Sequence, residues 1–300
     1  MKQIISVSIG SSKRNHEVQI DLMGEEFLIK RIGTDGDIDK AIEIIKDLDG
    51  KVDAIGLGGI DFYLFSKGRR YIIHDSKRFL NATKTTPILD GSGLKNTLER
   101  KIIRDLQESG SVDFRGKKVM LVCGLDRFGM GEEIAKLTDQ MVIGDLMFAL
   151  GIGIPLRSLN ALDKVARVFA PLAIRLPFSV LYPTGKSQEE IVEKYGKYYN
   201  WADIIAGDFL MIKKHMPKDL TGKIIITNTT TKDDMEELKR RGVEVLITTT
   251  PILNGRSFGT NVMESMLVAY AGKKGELSED EYFELLDRLN FQPNIVWLQK

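Results

Sequence analysis

The chain has 300 residues, of which 43% are hydrophobic and 28% are charged, a composition that excludes extensive disorder and favours one large or two ordinary domains. Its 43 basic and 42 acidic residues leave a net charge of +1, which provides no overall field for nucleic acid or an anionic membrane surface. We therefore expect a small-molecule substrate, with neither nucleic acid nor membrane as partner; a homodimer is compatible with these properties.

Residues 1–92 predict an α+β domain that would hold the substrate. Short alternating or β-branched runs, such as residues 4–9 and 27–32, are typical of strands. Apolar residues at helical spacing over 38–48 predict one helix among them. Residues 93–114 then predict a bridging helix and linker, with an apolar face and charged residues opposite.

The rest of the chain alternates between strand-like and helix-like segments. Residues 115–272 contain short apolar runs of the kind that is buried on both faces of a parallel sheet. These runs are residues 119–123, 141–143, 204–206, 224–227 and 243–248. They predict a Rossmann-like, doubly wound parallel-sheet domain after the α+β domain, so the fold class is α/β. Residues 273–300 predict a C-terminal helix that packs back on the first domain.

Cysteine and histidine usage bounds the chemistry. Cys123 is the single cysteine, so no intramolecular disulfide can form, and a reducing, cytoplasmic compartment is expected. The histidines, His16, His74 and His215, lack ligand spacing, so we expect no metal site. The longest uncharged apolar run, residues 146–156, is too short to cross a bilayer.

A glycine-containing turn follows the strand at 119–123. Gly124 and Gly129 match the first and third glycines of the dinucleotide fingerprint G-x-G-x-x-G, and Gly131 and Arg127 lie in the same turn. Asp126 takes the second position, where a carboxylate would repel a pyrophosphate unless Arg127 or a cation compensates. The turn therefore predicts either a cofactor-binding site or a tight turn without a ligand.

Asp145 supports a nicotinamide cofactor by its spacing. It lies 21 residues after Gly124 at the end of the next strand, where an acidic residue binds the ribose hydroxyls of NAD. NAD is favoured over NADP, since this carboxylate would repel a 2′-phosphate. Asn228, Thr229 and Thr249 follow two later strands, and we expect them to contact the ribose or the carboxamide.

The segment Asp90-Gly91-Ser92-Gly93, just before the bridging helix, resembles the N-T-D-G-x-G segment of the shikimate/quinate dehydrogenase family. Asp90, Gly91, Gly93 and Leu98 match, whereas Ile88 and Leu89 replace the Asn-Thr pair. The resemblance implies NAD(P)-dependent oxidation of a CH–OH group of a hydroxylated carboxylic acid, with Asp90 on a substrate hydroxyl and paired with a lysine. The family's lysine motif is missing here. An N-cap role for Asp90 is the structural alternative.

Lys84 is the lysine that we expect to act as the base, because it is the nearest one on the loop side of Asp90; Lys95 lies one helical turn beyond. The substrate carboxylate is expected to contact polar and basic residues in two loops. These residues are Ser11, Ser12, Arg14, Arg256 and Asn261.

Two other functions stay open at this point. The fold could bind a nucleotide or metabolite without catalysis, which Asp126 and the missing lysine motif favour. Alternatively, Cys123 could be the nucleophile of an acyl reductase that forms a thioester, although a lone cysteine at the end of an apolar strand usually serves packing.

Overall fold

The computed structural model describes residues 1–22, 24–178, 191–250, 252–253 and 256–299, with only the backbone described at 252–253 and 256–257. The N-terminal part contains β1 (Lys2–Ser8), β2 (His16–Leu22), β3 (Glu25–Gly33), α1 (Ile38–Leu48), β4 (Ala54–Gly58), β5 (Tyr63–Ser66), β6 (Arg69–Ile72), α2 (Ser76–Leu80), β7 (Ile88–Leu89) and α3 (Ser92–Glu108). Strands β2, β3, β1, β4 and β7 form the first sheet in that order, parallel apart from the antiparallel β2–β3 hairpin.

The C-terminal part contains β8 (Val119–Leu121), α4 (Phe128–Leu137), β9 (Met141–Ile143), α5 (Asp145–Phe148), α6 (Leu159–Ala173), α7 (Gly196–Trp201), β10 (Ile204–Gly207), α8 (Phe209–His215), β11 (Ile224–Thr227), α9 (Lys232–Arg240), β12 (Val245–Thr248), β13 (Ile252–Leu253), β14 (Arg256–Ser257), α10 (Thr260–Tyr270), α11 (Glu279–Arg288) and β15 (Asn294–Trp297). The second sheet has the order β15-β12-β11-β10-β8-β9, and only β15 is antiparallel in it. The predicted α/β class, with a Rossmann-like second sheet after an α+β part, is confirmed.

Both sheets are covered on two faces, as their apolar strands require. In β1, Ile5 and Val7 pack with α1, whereas Ile4 belongs to a second core that also contains Leu98 of α3. This second core continues to Leu121 in the second sheet. Helix α3 therefore contacts both sheets through one continuous apolar core.

The C-terminal segments are arranged differently from the prediction. Helix α10 packs on β1, β4 and α3, although residues up to 272 were expected in the second domain. It is buried on most sides, with Met263, Met266 and Leu267 fully covered, so it requires packing contacts on most of its faces. Helix α11 packs on α3, and β15 joins the second sheet. Residues 273–300 therefore contain a strand of the second sheet in addition to the predicted helix.

Gly129 permits the close crossing of α3 and α4. A Cβ atom at this position would lie 2.5 Å from the backbone oxygen of Asn96 in α3. Replacing Gly129 by alanine would force the helices apart, so we expect G129A to lower the free energy of unfolding by about 1–3 kcal/mol in urea titrations. Gly275→Ala is the matched control, because a Cβ there meets no atom within 4 Å. Equal stability of the two variants would contradict this account of the crossing.

Candidate active site

A cavity of about 290 Å³ lies between the two sheets, and we call it the interdomain cavity. Its lining includes Tyr63 and Arg70 from the β5–β6 hairpin, Ser92 and Lys95 from α3, Asp126 from the β8–α4 turn, and Glu276 before α11. The loops at the carboxyl ends of β4 and β8 meet here, which is where parallel α/β sheets place their ligands.

Lys95 connects the two halves of the molecule at this cavity. Its Nζ atom donates hydrogen bonds to Asp61 Oδ1 at 3.0 Å and to Asp126 Oδ1 at 2.6 Å. Asp61 lies in the loop after β4, and Asp126 lies in the turn after β8, so one ammonium group binds a carboxylate from each half. The Lys95 side chain is 8% exposed, whereas those of Asp61 and Asp126 are 17% and 26% exposed, so the ammonium group is the most desolvated member of the triad.

Burial and neighbouring charges give the three members of this triad different pKa values. Burial raises the pKa of Asp61 to about 7, although Lys95 opposes the shift. Burial also disfavours the ionised form of Asp126, but Lys95 and Arg127 together hold its pKa below the usual range. Burial alone would lower the pKa of Lys95; Asp126 and Asp61 instead raise it, so the ammonium form is retained. The triad thus combines a fixed cation with a carboxyl group that titrates near neutral pH.

Arg127 extends the triad into a larger buried network. Its guanidinium contacts Glu99 of α3, Asp126, and Asp208 at the start of α8. Asn228 donates to Asp208 at 2.9 Å, which ties the ends of β10 and β11 to the same network. Burial raises the pKa of Glu99 to about 7, against the influence of Arg127. Arg127 is therefore an internal ion-pair partner, whereas the sequence predicted a cofactor contact.

The β5–β6 hairpin covers one side of the cavity. Both terminal nitrogens of Arg70 donate to the Glu276 carboxylate, at 2.6 and 2.5 Å. The guanidinium also stacks over the Tyr63 ring at 4.4 Å, and the Tyr63 hydroxyl donates to Glu276. Ser66 donates to Asp163 of α6 at 2.9 Å, so the hairpin is attached to the second half of the molecule.

Asp90 has the structural role that was the alternative to catalysis. Its carboxylate accepts hydrogen bonds from the Phe62 backbone at 2.6 Å and from both the backbone and the hydroxyl of Ser92. Buried Glu264 accepts from the Gly91 and Leu94 backbones, and Tyr282 donates to it at 2.5 Å. These two carboxylates accept from the Gly91, Ser92 and Leu94 N–H groups at the start of α3.

The structure does not bring Lys84 to Asp90. Lys84 is exposed, and its backbone N–H donates to Asp49 at the C-terminus of α1, which lies at the opposite end of the first sheet from Asp90. The lysine that meets carboxylates in the cavity is Lys95. The prediction of a lysine–carboxylate pair therefore has a structural counterpart, but with Lys95, Asp61 and Asp126 as its members.

Asp145 binds the turn that was predicted to hold a dinucleotide. The Gly124 and Leu125 backbone N–H groups donate to the two oxygens of its carboxylate, at 2.7 and 2.9 Å. A Cβ atom at Gly124 would lie 2.7 Å from a methyl carbon of Leu162, so packing explains this glycine without a ligand. With two N–H groups of the turn bonded to Asp145 and a carboxylate, Asp126, at the second glycine position, these residues do not fit a nicotinamide dinucleotide.

The other predicted cofactor residues also have internal roles. Gly129 faces Asn96 of α3, and a Cβ atom at Gly131 would lie 2.9 Å from Leu121. Asn228 binds Asp208, while Thr229 is half-buried and does not line the interdomain cavity. Thr249 is fully buried, and its hydroxyl has no hydrogen-bond partner.

Ser11, Ser12, Arg14 and Asn261 are not among the residues that line the interdomain cavity. Ser11 caps the 3-10 turn Ser12–Arg14, and the Ser12 backbone donates to Asp35, so turn geometry accounts for both serines. Arg14 is exposed, and the Arg256 side chain lies outside the described residues. Asn261 donates to Ser6 at 3.0 Å, and its backbone approaches Gly91 beside the start of α3.

Cys123 does not have the environment of a nucleophile. The thiol is buried, and burial raises its pKa well above the ordinary value, so the reactive thiolate is disfavoured. Its sulfur accepts a hydrogen bond from the Asp208 backbone at 3.3 Å. Within the described residues, no group of three or more potential ligands is placed to hold a metal ion, and no helix is long and apolar enough to span a membrane.

Sequence reasoning named Lys95 but chose Lys84 as the base, and it did not identify Glu99 or Asp61. Lys95 and Glu99 lie one turn apart on α3, beside the buried residues Leu94 and Leu98, whereas charged residues were expected on the exposed face. The sequence signal for a buried ion pair was the presence of opposite charges inside an apolar stripe. For Asp61, which follows a strand end in a glycine-containing loop, no comparable pattern is present.

Together, the fold and the cavity define a two-domain α/β protein with a polar site between its domains. The chain belongs to the family described as a domain of unknown function, DUF8754, whose model matches residues 93–298. The model of another domain of unknown function, DUF8753, matches residues 3–90. No curated protein matches the sequence.

Several solved structures are similar over most of their length. The glucose-galactose binding protein GanP of Geobacillus stearothermophilus is 9% identical, with 99% of this chain and 97% of that chain covered and a TM-score of 0.40. The Entamoeba histolytica malic enzyme is 12% identical, with coverages of 96% and 69% and a TM-score of 0.40. A galactofuranose binding protein is 11% identical, with coverages of 97% and 99% and a TM-score of 0.34. Binding proteins and an enzyme occur together among these structures, so they do not assign an activity.

Because Asp145 uses the donors of the Gly124 turn, we expect no micromolar binding of NAD, NADH, NADP or NADPH in calorimetric titrations. Asp145→Ala tests the position directly, since it removes the carboxylate that bonds to the turn. Micromolar binding of NAD or NADH by the wild type that weakens in this variant would show that Asp145 contacts the cofactor and would contradict the expectation.

Glu264 makes stability depend on pH. Burial, together with the nearby Asp90 carboxylate, raises its pKa to about 8, so folding favours the protonated form. Its stabilising contribution is complete below the unfolded pKa near 4.5 and is lost as the pH rises through 8. We expect Glu264→Gln to make the decline of unfolding free energy between about pH 5 and 8 shallower, by up to about 1.4 kcal/mol per pH unit. Glu284→Gln, at an exposed position of α11, is the control; identical slopes for wild type and Glu264→Gln would contradict the assignment.

Proposed function

We propose that the protein is an enzyme that binds a small hydroxylated molecule in the interdomain cavity and transfers a proton at one of its oxygen atoms. The observation that supports this most directly is the Lys95 ammonium. It lines the cavity, it is almost completely buried, and its hydrogen bonds to Asp61 and Asp126 use two of its three N–H donors. The third donor is left for an oxygen atom of a ligand.

Each member of the triad has a different chemical role. Lys95 stays protonated, so it donates a hydrogen bond and stabilises negative charge that develops on a ligand oxygen. Asp61 is bonded to Lys95 behind the lining of the cavity; with its pKa raised to about 7, it gains or loses a proton near neutral pH and acts on the ligand through Lys95. Asp126 stays ionised and fixes the position of the ammonium. These roles give a general acid–base site with its electrostatic stabiliser already in place.

The size and lining of the cavity favour a small metabolite. A volume of about 290 Å³ is at the lower end of the range for ligand pockets. Aromatic side chains, Tyr63, Phe65 and Phe128, line it together with polar groups. Apolar faces with a few polar groups are the usual composition of a site that orients a small organic molecule.

The NAD-dependent dehydrogenase of the shikimate/quinate type is the second candidate. The lysine–carboxylate pairing at Lys95 favours it, because oxidation of an alcohol needs a proton acceptor at the hydroxyl. Hydride transfer also needs a bound nicotinamide, however, and Asp145 accepts hydrogen bonds from two N–H groups of the turn that was predicted to bind it. For this reason we place acid–base chemistry first and the dehydrogenase second.

A thermal-shift screen of hydroxylated metabolites tests the proposal. Ligands that raise the melting temperature of the wild type should lose this effect in Lys95→Met and keep it in Lys84→Met, whose lysine is exposed and distant. Because Lys95→Met leaves two buried carboxylates without their cation, the double variant Lys95→Met/Asp126→Asn is included to remove one charge of each sign. Ligands that stabilise all variants equally would place the site elsewhere.

Turnover of a ligand identified in this way then separates catalysis from binding alone. We expect a rate profile with an apparent pKa near 7 that Asp61→Asn abolishes, while the dissociation constant changes little. Binding without any turnover of the ligand would instead indicate a metabolite-binding protein.

A further inference from the structure

We propose that the ligand of the interdomain cavity is a hydroxylated amine, whose ammonium group binds Glu279 at the mouth while a hydroxyl group meets Lys95 at the floor. This inference rests on the proposed function, because it specifies the ligand of the same cavity. The sequence predicted a hydroxylated carboxylic acid as the substrate.

The cations of the lining are already neutralised by the chain itself. Lys95 binds Asp61 and Asp126, and Arg70 binds Glu276 through two hydrogen bonds. Lys95 keeps one N–H donor for a ligand oxygen, but the charges of both cations are already balanced by carboxylates of the chain, which reduces the attraction of a ligand carboxylate. The lining has the two cations against three carboxylates, which are Asp126, Glu276 and Glu279.

More carboxyl groups lie directly behind this lining. Asp61, Glu99, Asp90 and Glu264 are hydrogen-bonded to residues of the cavity or to their immediate neighbours. Two further cations lie nearby: Arg127 contacts Glu99, and Arg100 contacts Glu132 and, at 3.8 Å, Glu279. Asp126 and Asp90 act on their neighbours as like charges and contribute to the raised pKa values of Asp61 and Glu264. These carboxyl groups repel an anionic ligand and attract an ammonium ion to the extent that they are ionised.

Glu279 is the lining carboxylate with capacity for a ligand. Both oxygens of Asp126 face cations, Lys95 and Arg127, and Glu276 is held by Arg70. Glu279 has a single long contact, 3.8 Å from Nε of Arg100, and its side chain is 56% exposed. The Arg100 guanidinium itself lies closer to Glu132.

The two polar ends of the cavity therefore have opposite preferences. Glu279, near the solvent, accepts hydrogen bonds and favours a cation, while the buried Lys95 donates to a neutral oxygen. A ligand with an amine at one end and a hydroxyl at the other satisfies both groups. A carboxylic acid of the same size would meet Glu279 and Glu276 as like charges.

Matched probes of different charge test this inference. Glucosamine, glucose and glucuronate share one ring and carry positive, zero and negative charge, and an aminocyclitol, a cyclitol and quinate form a second set. We expect the amine of at least one set to bind about tenfold or more tightly than its neutral analogue in calorimetry. The preference should weaken as ionic strength rises, since Glu279 is partly exposed.

Variants assign the preference to Glu279. Glu279→Gln should reduce amine binding to the level of the neutral analogue, while Asp280→Asn, its exposed neighbour outside the lining, should leave it unchanged. Tighter binding of glucuronate or quinate, dependent on Lys95, would overturn the inference and leave the proposed function intact. An absence of binding by every amine probe at millimolar concentration would also overturn it, whereas the proposed function fails only if the wider screen yields no Lys95-dependent ligand.

Discussion

The contact of Lys95 with Asp61 and Asp126 is the interaction on which the site depends. Each of these residues comes from a different part of the fold: Lys95 from the helix that joins the sheets, Asp61 from the first sheet, and Asp126 from the second. A buried ammonium group without its carboxylates would be strongly destabilising, and so would the carboxylates without the ammonium. Because each of these buried charges requires its partners, the triad fixes how the two sheets approach each other around the cavity.

The turn after β8 has the pattern of an anion-binding turn, but the anion that it binds is a carboxylate of the same chain. A strand, a glycine turn and a helix provide backbone N–H groups that bind anions in many nucleotide-binding proteins. Here Asp145 supplies the anion from within the chain, and burial raises its pKa to about 6 despite the hydrogen bonds from Leu125 and Gly124. The glycine is needed for the close packing of Leu162 against the turn. The spacing of Gly124 and Asp145 is therefore the same as in a dinucleotide site, but the contact it creates is internal.

Local patterns predicted much of the fold, because periodicity reports which faces of an element are buried. The helix at 38–48 and the strands β8 to β12 follow directly from their apolar patterns. Strand β7 has only two residues, and β15 shows no alternating pattern, so both depend on tertiary pairing with β4 and β12. Helix α10 was assigned to the second domain because it follows that sheet in sequence, whereas its burial on most sides requires contacts with the first sheet.

The site was harder to predict than the fold, since its residues are distant in sequence. A lysine–carboxylate pair was expected, but proximity along the chain favoured Lys84 and Asp90. The structure pairs Lys95 with Asp61 and Asp126, which are 34 and 31 residues away. In the sequence, Lys95 and Glu99 are unusual only because they lie beside the apolar stripe of α3. Their burial there requires the second sheet to be in place.

The cavity carries a stability cost that has a functional explanation. Asp61, Glu99 and Glu264 are buried with pKa values raised to about 7 or 8, so their ionisation opposes folding near neutral pH. Apolar side chains of similar volume would be less costly in a purely structural role. Clusters of this kind concentrate at functional sites, where charge is arranged for a ligand rather than for the unoccupied fold. A cationic ligand would offset part of this cost on binding, so the same carboxylates that weaken the free protein would increase affinity for the ligand.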